Sequence, residues 1–175
     1  MAVGERRLRV LTVGSDLVDP ISEARRQWVE HGWADAAPGM AAVTSIMRAQ
    51  QVLLARVDEK LAVFNLSFAR FELLRLLAFT RHGELPLGKL GVRLQVHPTS
   101  ITSAVDRLEA QGFVERRRHP TDGRTTLAVI TRSGRRVVER ATLLLNDEVF
   151  SDVGGLSQRE VAPLYRLLEK VRRDS

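Results

Sequence analysis

The sequence predicts a mainly α-helical fold with a small β-hairpin wing, and three observations carry that prediction. Apolar residues recur at helical spacing across residues 20–112 and again across 133–171. The period turns extended only over residues 113–118 and 125–131, and the turn signal Pro120-Thr121-Asp122-Gly123 lies between those two runs. With 175 residues, 44% of them hydrophobic, the chain suffices for one sizeable core, or for a core plus an interface between copies.

Residues 1–20 hold no sustained period, and residues 10–13 are open between a short strand and no fixed structure. From Pro20, the residues Ile21, Ala24, Trp28 and Val29 repeat at helical spacing until Gly32, a C-terminal stop. Residues 36–39 read as a linker. Over residues 40–64 the set Val43, Ile46, Met47, Gln50, Leu53, Leu54, Val57, Leu61 and Phe64 forms one stripe, apolar except for Gln50, along about seven helical turns. A stripe that long on a small protein calls for a partner helix. Ser67 is placed to cap the next helix, which carries Phe68, Phe71, Leu74, Leu77 and Ala78 and stops at His82-Gly83. A shorter helix follows over residues 86–94, with Pro86 in its first turn.

After a turn at Gln95 and Val96, His97 stands at an N-cap, Pro98 at the first helical position and Gly112 at the stop. Ile101, Ala104, Val105 and Leu108 share one face of this helix, which leaves Thr99, Ser100, Thr102, Ser103, Asp106 and Arg107 on the other. The hairpin comes next, and Thr131 or Ser133 restarts a helix through Val137, Val138, Ala141, Leu144, Leu145 and Val149 that Gly154-Gly155 ends. Ser157 with Glu160 reads as a capping box for the last helix, where Pro163 requires either a later start or a kink.

Lys and Arg outnumber Asp and Glu by 27 to 21, a net charge of +6 that favours polyanions. Five of those six charges concentrate over residues 111–140, where Arg116, Arg117, Arg118, Arg124, Arg132, Arg135, Arg136 and Arg140 face only Glu115, Asp122 and Glu139. The absence of cysteine excludes disulfides, thiolate nucleophiles and sulfur-ligated zinc. Gly14, Ser15 and Asp16 interrupt the early apolar run before it reaches the length of a signal peptide, so a cytoplasmic protein is expected. His31, His82, His97 and His119 have no metal-ligand spacing, no Gly-rich phosphate loop is present, and the adjacent Asp58 and Glu59 face different sides of a helix. The expectation is therefore no enzyme, no metal and no cofactor.

The order helix, turn, helix, hairpin matches a helix-turn-helix with a wing. Small hydroxyl side chains at Thr99, Ser100, Thr102 and Ser103 approach base edges and phosphates without steric cost, and Pro98 leaves first-turn N–H groups facing outward. Arg124 near the hairpin tip is placed to enter a narrow minor groove, with Asp122 able to fix its guanidinium. A polar face that is merely solvated is the plain alternative for both features.

Residues 102–134, T-S-A-V-D-R-L-E-A-Q-G-F-V-E-R-R-R-H-P-T-D-G-R-T-T-L-A-V-I-T-R-S-G, resemble the MarR (multiple antibiotic resistance regulator) family in V-D-R-L-E-x-x-G-F/L-V, the wing D-x-R and the closing T-x-x-G. The resemblance implies a homodimer with interlocking helices and two winged lobes that read a palindromic double-stranded DNA operator. It assigns base reading to Thr99, Ser100, Thr102, Ser103 and Arg107, and the minor groove to Asp122 and Arg124; Pro98 and Arg117 complete the expected DNA contacts. Residues 1–39 become an N-terminal extension with an additional helix, 40–66 and 132–175 the dimerisation helices, and 67–131 the DNA-binding lobe.

The family further implies a repressor relieved by a small organic effector, anionic or aromatic, between the dimer helices and the lobe. Trp28, Trp33 and Asp58 are the candidate effector contacts, Trp28 having the alternative role of a hydrophobic anchor. The Trp-bearing extension looks like that of a urate-responsive branch, but Ala104 stands where that branch places an Arg. Two other classes of function compete: a winged-helix protein-interaction module, and a small-molecule-binding protein without a DNA role.

Overall fold

The computed structural model describes residues 19–173, so the reading of residues 10–13 lies outside the described residues. The elements run α1 (Pro20–Glu30), α2 (Ala37–Leu61), a 3-10 turn (Ala62–Phe64), α3 (Phe68–Phe79), β1 (Glu84–Pro86), α4 (Leu87–Leu94), α5 (Pro98–Ala110), β2 (Val114–Arg118), β3 (Thr126–Ile130), α6 (Arg132–Leu145), a π-turn (Asn146–Phe150) and α7 (Gln158–Arg173). The structure is mostly helical with one small antiparallel sheet, the predicted class. Two compact units divide between Val52 and Leu53.

In the first unit, Asp19 caps α1 by accepting from the Ser22 amide at 3.0 Å and its hydroxyl at 2.8 Å. Gly32 takes φ +86°, the left-handed stop expected there. Trp28 and Trp33 meet edge to face with centroids 5.3 Å apart, and His31 stacks on Trp33. The predicted linker over residues 36–39 is a correction: α2 already starts at Ala37, because a proline in the first turn has no N–H to lose and a preset helical φ.

The core of the second unit gathers Leu61, Leu73, Leu74, Leu77, Leu90, Val105, Leu108, Val114, Ala128, Val138 and Leu145, all buried. Its sheet has the order β1-β3-β2, with Pro86 opposite Leu127 and Val114 opposite Ile130. The sequence reading missed β1, a strand of three residues, too short to show a period. Pro86 ends that edge strand, where no ladder donor is required, and stands at the N-cap of α4 rather than inside it.

Caps account for the other differences. Ser67 has the N-cap backbone of α3, yet Asp58 supplies the capping oxygen, its Oδ1 accepting from the Phe68 amide at 2.7 Å. Of the two candidate starts of α6, Thr131 is the cap, accepting from the Gly134 amide at 3.0 Å while its hydroxyl donates to the Gly112 carbonyl. Glu160 reaches back to the Ser157 amide at 2.9 Å, but the Ser157 hydroxyl donates to the same carboxylate, so the box closes from one side. Of the two readings of Pro163, the later start is excluded: α7 begins at Gln158 and runs through the proline.

Candidate nucleic-acid interface

Helix α5 begins where the local chemistry dictates. The His97 Nδ1 accepts from the Thr99 amide at 3.3 Å, Pro98 fills the first position, and beyond Gln111 the chain leaves through Gly112 at φ +69°. Ile101, Val105 and Leu108 are buried against the lobe, so the helical period drives Thr99, Ser100, Thr102, Ser103, Asp106 and Arg107 out to solvent together with Pro98. The predicted reading residues therefore share one exposed face. Thr102 returns its hydroxyl to the Pro98 carbonyl at 3.2 Å. The hydroxyls of Ser100 and Ser103 have no protein partner among the described residues, which leaves them available to a ligand.

The wing is held to this helix by a residue the sequence reading did not single out. From β2, the Arg116 guanidinium donates to Asp106 Oδ1 at 2.6 Å and to Glu109 Oε2, while its own amide donates to Glu109 Oε1 at 3.0 Å. Asp106 and Glu109 lie three residues apart, so one side chain from the adjacent strand bridges both. Partial burial opposes the charged guanidinium, and the bonds from Glu109 and Asp106 outweigh it and raise its pKa. The available signal was an Asp and a Glu at helical spacing ahead of a strand bearing Arg.

At the wing tip, Asp122 acts differently from the expectation. Its Oδ1 accepts from the Arg124 backbone amide at 3.1 Å and its Oδ2 from the Thr125 hydroxyl at 2.7 Å, so it fixes the turn and not the Arg124 guanidinium. The Thr125 hydroxyl first, then the Arg124 amide, hold the Asp122 carboxyl below the usual carboxylate range. Arg124 is exposed at the tip. Arg117 is also exposed but pairs with Glu115 at 2.8 Å. The positive field is thus thinner than a count of arginines implies, because Arg116 and Arg117 are neutralised locally.

Of the candidate effector residues, Trp28 at the end of α1 packs on Trp33 within the first unit, and Asp58 in the second unit caps α3. A cavity of about 300 Å³ instead lies among Phe68, Phe71, Glu72, Arg75, Leu76, Phe79, Leu94 and Phe150. Arg75 Nη2 donates to the Val138 carbonyl at 2.8 Å and the Thr142 hydroxyl at 2.6 Å, its guanidinium lies 5.2 Å from the Phe79 ring centre, and its buried Nε has no partner. Burial raises the Glu72 carboxyl pKa above its ordinary value. Among the described residues no group of His, Asp or Glu is arranged to hold a metal, and no helix is long and apolar enough to cross a membrane.

Comparison with known proteins agrees with this geometry. Residues 66–126 match the MarR family. The chain resembles Sco5413, a MarR family transcriptional regulator of Streptomyces coelicolor, with 48% identity and a TM-score of 0.71 over 78% of this chain and 94% of that one. A mutant MarR of E. coli, solved in complex with operator DNA, matches at 27% identity and a TM-score of 0.68 over 73% of this chain and 91% of that one. A helix-turn-helix transcriptional regulator of Mycobacterium leprae is 36% identical over 70 residues, 40% of this chain; the match spans about half, 49%, of that relative. The family is one of transcription regulators rather than enzymes. With the helix pair, the wing and these relatives in agreement, the chain belongs to the MarR family of transcriptional regulators.

Proposed function

We propose that the protein is a sequence-specific regulator that binds a palindromic double-stranded DNA operator as a homodimer in the cytoplasm, repressing until a small anionic or aromatic effector releases it. One observation carries the DNA reading: α5 presents an exposed hydroxyl face with Arg107, next to a wing whose Arg124 stands at a turn braced by Asp122. Pro98, Thr99, Ser100, Thr102, Ser103 and Arg107 would read the major groove, Arg124 would enter the minor groove from its braced turn, and Arg117 would contact the backbone.

Exposed apolar surface on α2 and, separately, on α7 supports the dimer. On α2 Val43, Ile46 and Met47 are exposed, Met47 by 64%, and on α7 Leu164 and Leu167 are exposed, Leu167 by 61%. On this reading residues 40–66 and 132–175 dimerise, 67–131 bind DNA, and 1–39 form the extension. The phenylalanine-rimmed cavity beside Arg75 and Glu72 supports an effector site for an aromatic acid. Reading two successive major grooves requires the two α5 helices to lie about 34–36 Å apart, so an effector that favours another spacing weakens DNA binding by linkage.

The test is selection of bound sequences from a random DNA pool, with sedimentation of the free protein. A palindrome and a dimer are expected. Retention of no preferred sequence, or a monomer at micromolar concentration, refutes the reading.

A further inference from the structure

We propose that the end of the lobe opposite the wing tip carries a docking surface for an acidic segment of another protein, made by Arg81, Arg132, Arg135 and Arg136. It goes beyond the DNA reading, and uses that reading only to say which end of the lobe a bound duplex leaves uncovered. Arg132, Arg135 and Arg136 stand in the first two turns of α6 and Arg81 in the turn before β1, and all four are exposed. Packing joins the two stretches into one surface. A Cβ on Gly83 would collide with the Arg135 guanidinium, so that side chain lies across the turn that carries Arg81 and His82.

The fold gains nothing from this arrangement. The start of a helix is the positive end of its dipole, where acidic side chains stabilise and cations do not. Yet the first turn of α6 holds no acidic residue, and three arginines stand close to its start. None of the four arginines forms an ion pair among the described residues, although Arg116 and Arg117 on the wing are both paired. Glu139 on the same helix is engaged by Arg75, and Glu84, next to Gly83, pairs with none of the four. Like charges gathered without a counterion repel one another, and an acidic partner removes that repulsion. The amides of Gly134 and Arg135 are already taken by Thr131, so what the surface offers is guanidinium groups, which bind carboxylates through paired N–H donors.

Position separates this surface from the DNA face. The Gly112 carbonyl, just past α5, accepts from the Thr131 and Ser133 hydroxyls at 2.8 Å and 2.7 Å. Helix α6 therefore starts at the end of α5 away from Pro98, about 20 Å along the helix. Strand β3 sets about 17 Å between the wing tip and the same place. A duplex seated on the Pro98 end of α5 and on Arg124 leaves the four arginines free. A second copy of this chain does not supply the acidic segment: its longest acidic runs are Asp58-Glu59 and Asp147-Glu148, in which Asp58 caps α3 and Glu148 pairs with Lys60.

The test follows a fluorescein-labelled octaglutamate peptide by anisotropy, with the full chain free and saturated with the selected duplex. Wild type should hold the peptide in both states. Arg132→Gln/Arg136→Gln should weaken it by about fivefold to tenfold, for two exposed ion pairs lost, and adding Arg81→Gln should weaken it further. A control with the same charge loss on the wing, Arg118→Gln/Arg124→Gln, should weaken the duplex and keep the peptide. Because the arginines oppose the α6 dipole, the α6 double variant should melt no lower than wild type. Wild type that ignores the peptide overturns the proposal, as does undiminished binding in the α6 double variant, an equal loss in the wing control, or displacement of the peptide by the duplex. An α6 double variant that melts below wild type assigns the arginines to the fold, and a second duplex bound by wild type but not by that variant makes the patch a nucleic-acid site; either removes the proposal. If no duplex is selected, the DNA reading fails while the titration of the free protein still decides the acidic docking surface.

Discussion

Replacing Arg116 by Met should harm DNA binding more than its effect on folding accounts for. The substitution keeps the aliphatic stem and deletes a guanidinium that is 26% exposed and paired with Asp106 and Glu109, which are 60% and 41% exposed. Two partly exposed ion pairs contribute together about 1–2 kcal/mol. For a chain of this size that lowers Tm by about 2–8 °C. The second effect is electrostatic: Asp106 loses its counterion on the face that carries Ser103 and Arg107 and would meet the operator phosphates as a bare carboxylate. At screened surface distances that repulsion is worth about 1 kcal/mol, about fivefold in Kd. Asp106→Asn placed in the Arg116→Met background restores the net charge without restoring the bridge, so it should recover most of the affinity and little of the Tm. Fluorescence anisotropy with the selected operator, alongside thermal melts, separates the two effects. Wild-type affinity in Arg116→Met, or no recovery in the double variant, refutes the argument.

Three further outcomes follow from the packing. Asp58→Ala should cost about 1 kcal/mol through loss of the α3 cap, and Asp58→Asn much less; equal melting of wild type and the Ala variant counts against the cap. Burial raises the Glu72 pKa above its ordinary 4.5, so folding favours the protonated acid: that contribution is full below 4.5 and is lost as pH rises through the raised value. Glu72→Gln should accordingly gain stability relative to wild type from pH 4 to 7, and a variant less stable at pH 7 contradicts this. A Cβ on Gly134 would collide with the Phe113 carbonyl oxygen and come within 2.9 Å of Ile130 Cγ1, so Gly134→Ala should cost at least about 1–3 kcal/mol of stability, read as a lower urea midpoint; an unchanged midpoint contradicts the clash.

Helix identity was legible wherever a buried face repeats. Ile101, Val105 and Leu108 fixed the orientation of α5, and with it the exposed set Thr99, Ser100, Thr102 and Ser103. What stayed hidden depends on residues distant in sequence. Nothing near Phe68 announces that Asp58 caps it from ten residues upstream, and Glu84 to Pro86 becomes a strand only because β3 offers a free edge. Arg116 reads as one arginine among several until the fold sets it across from Asp106 and Glu109. Asp122 was singled out, but the competing demand of the turn's own N–H group engages it before the guanidinium does.

The central place of β3 makes the lobe a single mechanical part. Leu127 pairs with Pro86 on one side and with Arg117 on the other, and the backbone that leaves Pro86 enters α4 at once. A wing hinged independently of the helix pair would have to break the β1–β3 ladder, the β2–β3 ladder or the Arg116 bridge. Compliance is therefore confined to the tip beyond His119, so on the proposed dimeric reading the fit to operators of different half-site spacing would come from tilting the lobe as a block, with the reach of Arg124 trimmed only by the few residues that Asp122 ties together.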